Sequence, residues 1–342
     1  MIRSISLPSV GAILLLASTA LPAAAQTSPA PAFTILDRIA LPDGQWDYSS
    51  VATDPHQLLI ARGNGVTAVA LDTKRVTPTL TEGDKLHSAL ALPGGTRAAA
   101  TDGGSDSVTL FQTGTGKIDA HVAVGKKPDG AVVEPKTGLL VVMNGASRDA
   151  SLVDTARAET VATLPVGGKP EFPAADGAGL VYVNIEDTAQ ILALDIVNRK
   201  RLGTIALPGC TEPTGLAYDR ADGLLISSCR NGIAAIVDAK GGKLIASISI
   251  GEGPDAVILD EPHRRAFIPS GTSGTLAVLA LGGADRAKLV QTLQTQPGTR
   301  TGAFDATTGR LYLTTARFAV DGSKKRQIVP GSVELLVVGE AK

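Results

Sequence analysis

Three acidic residues stand in similar settings along this chain. Asp129 lies in KKPDG, Glu171 in GKPEF and Asp255 in GPDA. Each sits five residues before the anchoring turn of a repeat, and the same count in the other repeats gives Ser49, His87, Thr214 and Arg300. Carboxylates gathered at one place supply the hard oxygen ligands that a divalent cation takes. A histidine and an arginine among them offset that charge or recruit an anion. A ring of polar groups around a wet channel is accordingly expected to be a ligand or cation site, with Asp129, Glu171 and Asp255 as the metal-ligand candidates. The simpler alternative is a solvated funnel mouth that tolerates charge. Trp46, Asp47 and Tyr48 fall at the same end, and Glu212, two residues before Thr214, joins them as a channel candidate. Trp46 is the sole tryptophan. Its two open uses are contact with a ligand or an apolar plug between neighbouring sheets.

Other chemistry finds little support. Of the four histidines, His56 and His263 fall in outer turns, His121 falls in an outer strand, and only His87 faces the expected channel. No spacing matches a zinc or copper site. There is no C-x-x-C-H for covalent haem, no phosphate-cradling glycine loop or dinucleotide fingerprint, and no G-x-S-x-G elbow. No catalytic set can be named. The motifs name no cofactor; a divalent cation is the candidate that the channel acids offer, and a small ligand or a periplasmic protein is the expected partner. Cys210 and Cys229 lie within one repeat, where a hairpin at Asp219–Gly223 sets Cys229 opposite Pro213. In an oxidising compartment two cysteines so placed are expected to form a disulfide. A buried reduced pair is the alternative; a redox-active pair would want a C-x-x-C spacing.

The elements that must position these residues are short strands. The stretch Gly167–Leu207 reads as four, at Glu171–Ala175, Leu180–Asn184, Ile191–Asp195 and Arg201–Leu207, separated by Asp-Gly, a polar run and Asn-Arg-Lys. The pattern recurs seven times, anchored at Asp54, Leu92, Glu134, Asp176, Asp219, Asp260 and Asp305, with spacings of 38, 42, 42, 43, 41 and 45 residues. A sheet of that size cannot bury both faces alone and needs copies of itself. Repeats of about forty residues with four strands each specify an all-β seven-bladed β-propeller; a β-solenoid would use shorter repeats. The last repeat holds only three strands, ending with Ser332–Val338, and Phe33–Leu41 matches the fourth-strand pattern. The N-terminal strand is therefore expected to close the last blade and remove an open edge. The connection Ala316–Gly331 in the seventh repeat is long and basic, either a functional loop or a solvated hairpin extension.

Residues 1–25 carry Arg3, the apolar run Gly11–Leu21 and Ala23-Ala24-Ala25, the order of a secretory signal peptide cleaved after Ala25. Residues 26–32 read as a flexible leader, and 33–342 as one propeller domain in the periplasm or outside the cell. Without residues 1–25 the formal charge moves from −1 to −2, because that segment holds one arginine and no acid. Near-neutral charge without a basic stripe argues against nucleic acid as partner. No later apolar run is long enough to span a membrane.

The motifs GKKPDG, GGKPEF with VYVNIEDT, CTEPTGLAYD and GEGPDA, with Trp46-Asp47-Tyr48, resemble the YVTN-repeat seven-bladed propellers, in particular YncE-like secreted proteins. The second repeat (KLHSALALPGG) and the seventh (GTRTGAFD) depart from the pattern. The resemblance implies an exported propeller and carries no catalytic residues, since the repeat motif is structural. Three functional classes follow. The first is a binding scaffold that works through the top face and central funnel. The second is a lactonase-like or metal-assisted hydrolase using the channel acids, which rests on fold-level analogy. The third is a propeller subunit of a periplasmic redox complex.

Overall fold

A computed structural model describes residues 1, 32–320 and 326–341. The expected signal segment and leader, apart from Met1 and Ala32, lie outside the described residues, as does 321–325 within the long connection. The chain forms seven antiparallel four-stranded sheets and one small two-stranded hairpin. Blades 1 to 6 occupy 46–82, 86–123, 128–165, 170–206, 213–249 and 258–294. Blade 7 takes Gly302–Asp305, Arg310–Thr315 and Glu334–Glu340, then is completed by Phe33–Ala40 from the other end of the chain. The closing strand pairs in sequence from Phe33 opposite Glu340 to Ala40 opposite Glu334. Blade 4 shows how closely the repeat reads: its strands are Pro170–Ala175, Leu180–Ile185, Gln190–Asp195 and Lys200–Ala206.

Successive side chains on a strand point to opposite faces of its sheet. In blade 1, Leu58 and Ile60 join a core shared with blade 7, while Leu59 and Ala61 join one shared with blade 2. Both faces of the inner strands are thus covered, which is why LLIA and LLVVMN are unbroken apolar runs rather than alternating ones. The interior is divided into seven clusters, one at each blade–blade boundary. Fourth strands face outward and regain alternation, as Lys243–Ser249 does.

The anchoring acids explain the repeat's turns. Glu134 accepts hydrogen bonds from the Lys136 and Thr137 amides, and Asp176 from those of Ala178 and Leu180. Asp219, Asp260 and Asp305 cap their own turns at Ala221, His263 and Thr307. Short acidic side chains that satisfy turn amides are the reason Asp recurs there. In blade 5 Cys229 lies opposite Pro213, and Cys210 is disulfide-bonded to it, the Cα atoms 5.3 Å apart. The long connection in blade 7 folds into the hairpin Phe318–Val320 with Arg326–Ile328.

Candidate functional site

The first strand of each blade lines the centre, with polar entry residues standing second in the strand in blades 1 to 5 and just before it in blades 6 and 7. These are Asp47, His87, Asp129, Glu171, Thr214, Asp255 and Arg300. The repeat count had given Ser49 the place that Asp47 holds. The first strand of blade 1 has eight residues, Trp46–Thr53, against six in blades 2, 3 and 4, and its pairing continues to Thr53 opposite His56 before the turn. Counting back from the turn therefore stops two residues too late.

Side chains of one blade grip the backbone of the next at this level. Thr301 donates to the Asp47 carbonyl at 2.9 Å, and Thr101 and Ser88 donate to that of Asp129 at 2.7 and 3.0 Å. The fully buried Asn184 of VYVN donates to the Thr214 and Gly215 carbonyls, and Thr214 in turn to that of Pro254 at 2.9 Å. Buried polar groups need such partners, and here the partners fix where each entry residue stands. Thr214 is committed to this belt and is 5 % exposed.

Five of the charged entry residues form a continuous chain of contacts. Asp255 Oδ2 lies 3.0 Å from Arg300 Nε, and Arg300 Nη2 lies 3.5 Å from Asp47 Oδ1. Asp47 Oδ2 is 2.9 Å from His87 Nδ1, which is 3.9 Å from Asp129 Oδ1. Next along, Glu171 Oε1 meets Lys169 Nζ at 2.8 Å, and Lys169 also bridges to Glu186. Carboxylates outnumber their cations, and the titration behaviour reflects it. Burial, reinforced by Asp47, raises Asp129 to about 6. Burial raises Asp255 to about 7 despite Arg300, and burial together with Asp129 raises Glu171 to about 8. The hydrogen bond to Asp47 holds His87 above its ordinary value.

Among the described residues, ligand atoms of Asp47, His87 and Asp129 all lie within 4.8 Å of one another. The sequence grouped Asp129 with Glu171 and Asp255 instead. Glu171 and Asp255 fall outside the group of Asp47, His87 and Asp129 and pair with cations, Lys169 and Arg300 respectively.

Beneath the ring the channel is crossed. Tyr48 reaches from blade 1 to donate its hydroxyl to the Asp255 carbonyl of blade 6 at 3.1 Å, and its ring lies 4.6 Å from that of Phe172 in blade 4. Burial pushes the Tyr48 hydroxyl well above its ordinary value, so it stays a donor. The entry residues accordingly surround a cup with an aromatic floor. Trp46 is 6 % exposed, packs in the core between blades 7 and 1, and sits 6.3 Å from Phe318 of the hairpin. Glu212 lies outside the chain of contacts and pairs with Arg230 at 3.3 Å.

Sequence reasoning did not single out Lys169, Phe172, Glu186, Arg230, Phe318 or Arg326. Lys169 and Phe172 flank the motif proline and acid in KPEF, so proximity to an entry residue was an available signal. Phe318 and Arg326 lie in the one long connection, where nothing in the repeat fixes position.

Solved structures share this architecture. The chain is similar to virginiamycin B lyase from Staphylococcus aureus with a TM-score of 0.71 at 11% identity, covering 91% of this chain and 100% of that one. It is similar to the WD40 repeats of RRP9 with a TM-score of 0.73 at 12% identity, covering 90% and 100%. It is also similar to Kuenenia stuttgartiensis hydrazine synthase, with a TM-score of 0.67 at 16% identity and 85% and 96% covered. No family model matches the chain, and no curated protein matches it. At these identities the likeness is one of fold. The chain is a seven-bladed β-propeller.

Proposed function

We propose that this chain is an exported, YncE-like binding propeller whose ligand seat is the acid-lined cup, and that the ligand presents a cation there. The observation that carries this is the convergence of Asp47, Asp129, Glu171 and Asp255 above the Tyr48–Phe172 floor, with raised carboxyl pKa values. Carboxyls hold their protons where negative charge is crowded and desolvated, and a cation relieves the same crowding. Asp47, His87 and Asp129 are the set nearest to a divalent-ion geometry. Export is supported by the signal-like segment at 1–25, by the Cys210–Cys229 disulfide, and by the lack of a membrane-length apolar helix among the described residues.

The test follows thermal melting with Ca²⁺, Mg²⁺ or Mn²⁺ and then with chelator. A ligand bound only to the native state raises the melting temperature by mass action. A shift with any of these ions, abolished in Asp129→Asn, supports the cup. Absence of a shift with all three, and with simple alkylammonium ions, overturns the cation reading and leaves protein partners to be sought.

A further inference from the structure

Beside the cup lies an open cavity of about 890 Å³, walled by the loop entering blade 1, by blades 5 to 7 and by the blade 7 hairpin. That volume is within the range of small-molecule sites. Its charge is opposite in character to the cup's. Three arginines line it, Arg230, Arg300 and Arg326, with two carboxylates, Asp43 and Asp255. Both carboxylates are engaged. Asp43 accepts from the Gly331 amide at 2.8 and 2.9 Å, which ties down the hairpin base, and Asp255 faces Arg300. Of the four acids that converge in the cup, Asp255 also lines the cavity, whereas Asp47, Asp129 and Glu171 do not.

The remaining wall is apolar and aromatic, with Trp46, Phe318 and Ile328. Arg326 lies over the Phe318 ring at 4.5 Å, an arrangement in which the guanidinium keeps its in-plane donors available. Phe318 is seated against Gly298, where any Cβ would collide with its ring, and the glycine holds φ +100°. The Phe318 strand is therefore packed against the chain entering blade 7. One polar group on this wall is left without a partner: the Trp46 indole N–H is buried and makes no hydrogen bond. Unsatisfied buried donors are costly, and this one belongs to a residue that lines the cavity.

We propose that this cavity binds an aryl carboxylate, an organic anion with an aromatic body. The ring packs among Trp46, Phe318 and Ile328. The carboxylate is taken by Arg230 and Arg326, where bidentate guanidinium pairing is the strongest option. Arg230 already holds one exposed carboxylate, Glu212 at 3.3 Å, a contact that an incoming carboxylate replaces like for like. The cavity shares Asp255 and Arg300 with the ring, but the carboxylate's holders, Arg230 and Arg326, are not among the cup's residues, so the anion test does not depend on the cation reading.

Trp46 is the only tryptophan, so its emission reports on this wall alone. The probes are 4-phenylbutyrate, 4-phenylbutanamide and 4-phenylbutylamine, followed by Trp46 fluorescence and by calorimetry, without added metal. Saturable binding of the carboxylate is expected, with the amide weaker by roughly tenfold or more, since a charge-assisted bond is lost. Arg326→Gln and Arg230→Gln are each expected to weaken the carboxylate by about tenfold while the melting temperature holds, because both side chains lie on the rim. Equal affinity for carboxylate and amide, tighter binding of the amine, or no saturable signal from any probe overturns the proposal. No metal enters the readout, so failure here and failure of the cup are separate results.

Discussion

His87 Nδ1 and Asp47 Oδ2 meet at 2.9 Å across the boundary between blades 1 and 2, at the head of two strands that are not hydrogen-bonded to each other. The contact ties a titrating ring to a carboxylate that also faces Arg300 at 3.5 Å. His87 lies above its ordinary 6.5 first because of this hydrogen bond, with Asp129 and Glu171 adding to it and burial opposing. Asp47→Asn is expected to lower the His87 pKa, read from the imidazole proton shifts in an NMR titration. An unmoved titration would mean that the pair does not form in solution.

Stability should fall as pH rises through neutrality. Asp129, Asp255 and Glu171 titrate at about 6, 7 and 8 in the folded chain, above their ordinary values of 3.8, 3.8 and 4.5. Between those limits the folded state holds protons that the unfolded chain has released, so the slope of stability against pH is negative. His87, also raised, contributes in the same direction, since its stabilisation is lost as pH rises through its folded pKa. Depressed acids such as Asp305 lose their contribution only on acidification below the ordinary carboxylate range. Melting temperature should thus be higher near about pH 5 than near about pH 8, and Asp255→Asn should flatten the difference. Scanning calorimetry across that range decides it; a rising profile contradicts the crowded cup.

Closure of the ring rests on Phe33. Its ring is 4 % exposed and meets Phe267 of blade 6 edge-on at 5.0 Å. Its backbone is clamped from the same blade, the amide donating to Gln291 Oε1 at 2.7 Å and the carbonyl accepting from Gln291 Nε2 at 2.8 Å. Phe33→Ala is expected to cost about 3 kcal/mol in denaturant unfolding, the usual penalty for emptying a buried aromatic site. Deletion through Ala40 would bare the Glu334–Glu340 edge, and size-exclusion chromatography should then show self-association.

The Cys210–Cys229 bond closes a loop with a sequence separation of 19. Denatured, unreduced protein should titrate no free thiol. Cys210→Ser with Cys229→Ser is expected to lose roughly 3 kcal/mol of unfolding free energy by the chain-entropy estimate.

The fold was legible because each level of the sequence agrees. Apolar runs, acidic turns and a period near forty residues all specify blades, and the three-stranded last repeat predicts that the N-terminal strand completes the last blade, as its pairing with Glu334–Glu340 shows. The site was legible in part. Six of the seven entry residues follow from counting back from the turn, and the seventh fails because the longer first strand of blade 1 puts Asp47 where the count gives Ser49. Within the ring, contacts depend on which cation lies nearest, and spacing along a chain does not encode that. Lys169 could not be assigned to Glu171, nor Arg300 to Asp255, before the blades were arranged in a circle. The hairpin wall was least legible, since Phe318 and Gly298 meet only through tertiary packing.

The pairing of Phe33 with Glu340 joins residues 307 positions apart, and this sets an order in time. A ribosome makes the closing strand before any blade and its partner after all the others. Six blades can assemble from local pairings as they emerge, whereas the seventh waits for the last strand. Until then the arc has two bare ends, one of them the unfinished face of blade 6 that Phe267 and Val278 present to blade 7. Closing the ring is therefore a single long-range docking event, expected to be slower than the local pairing that builds any one blade.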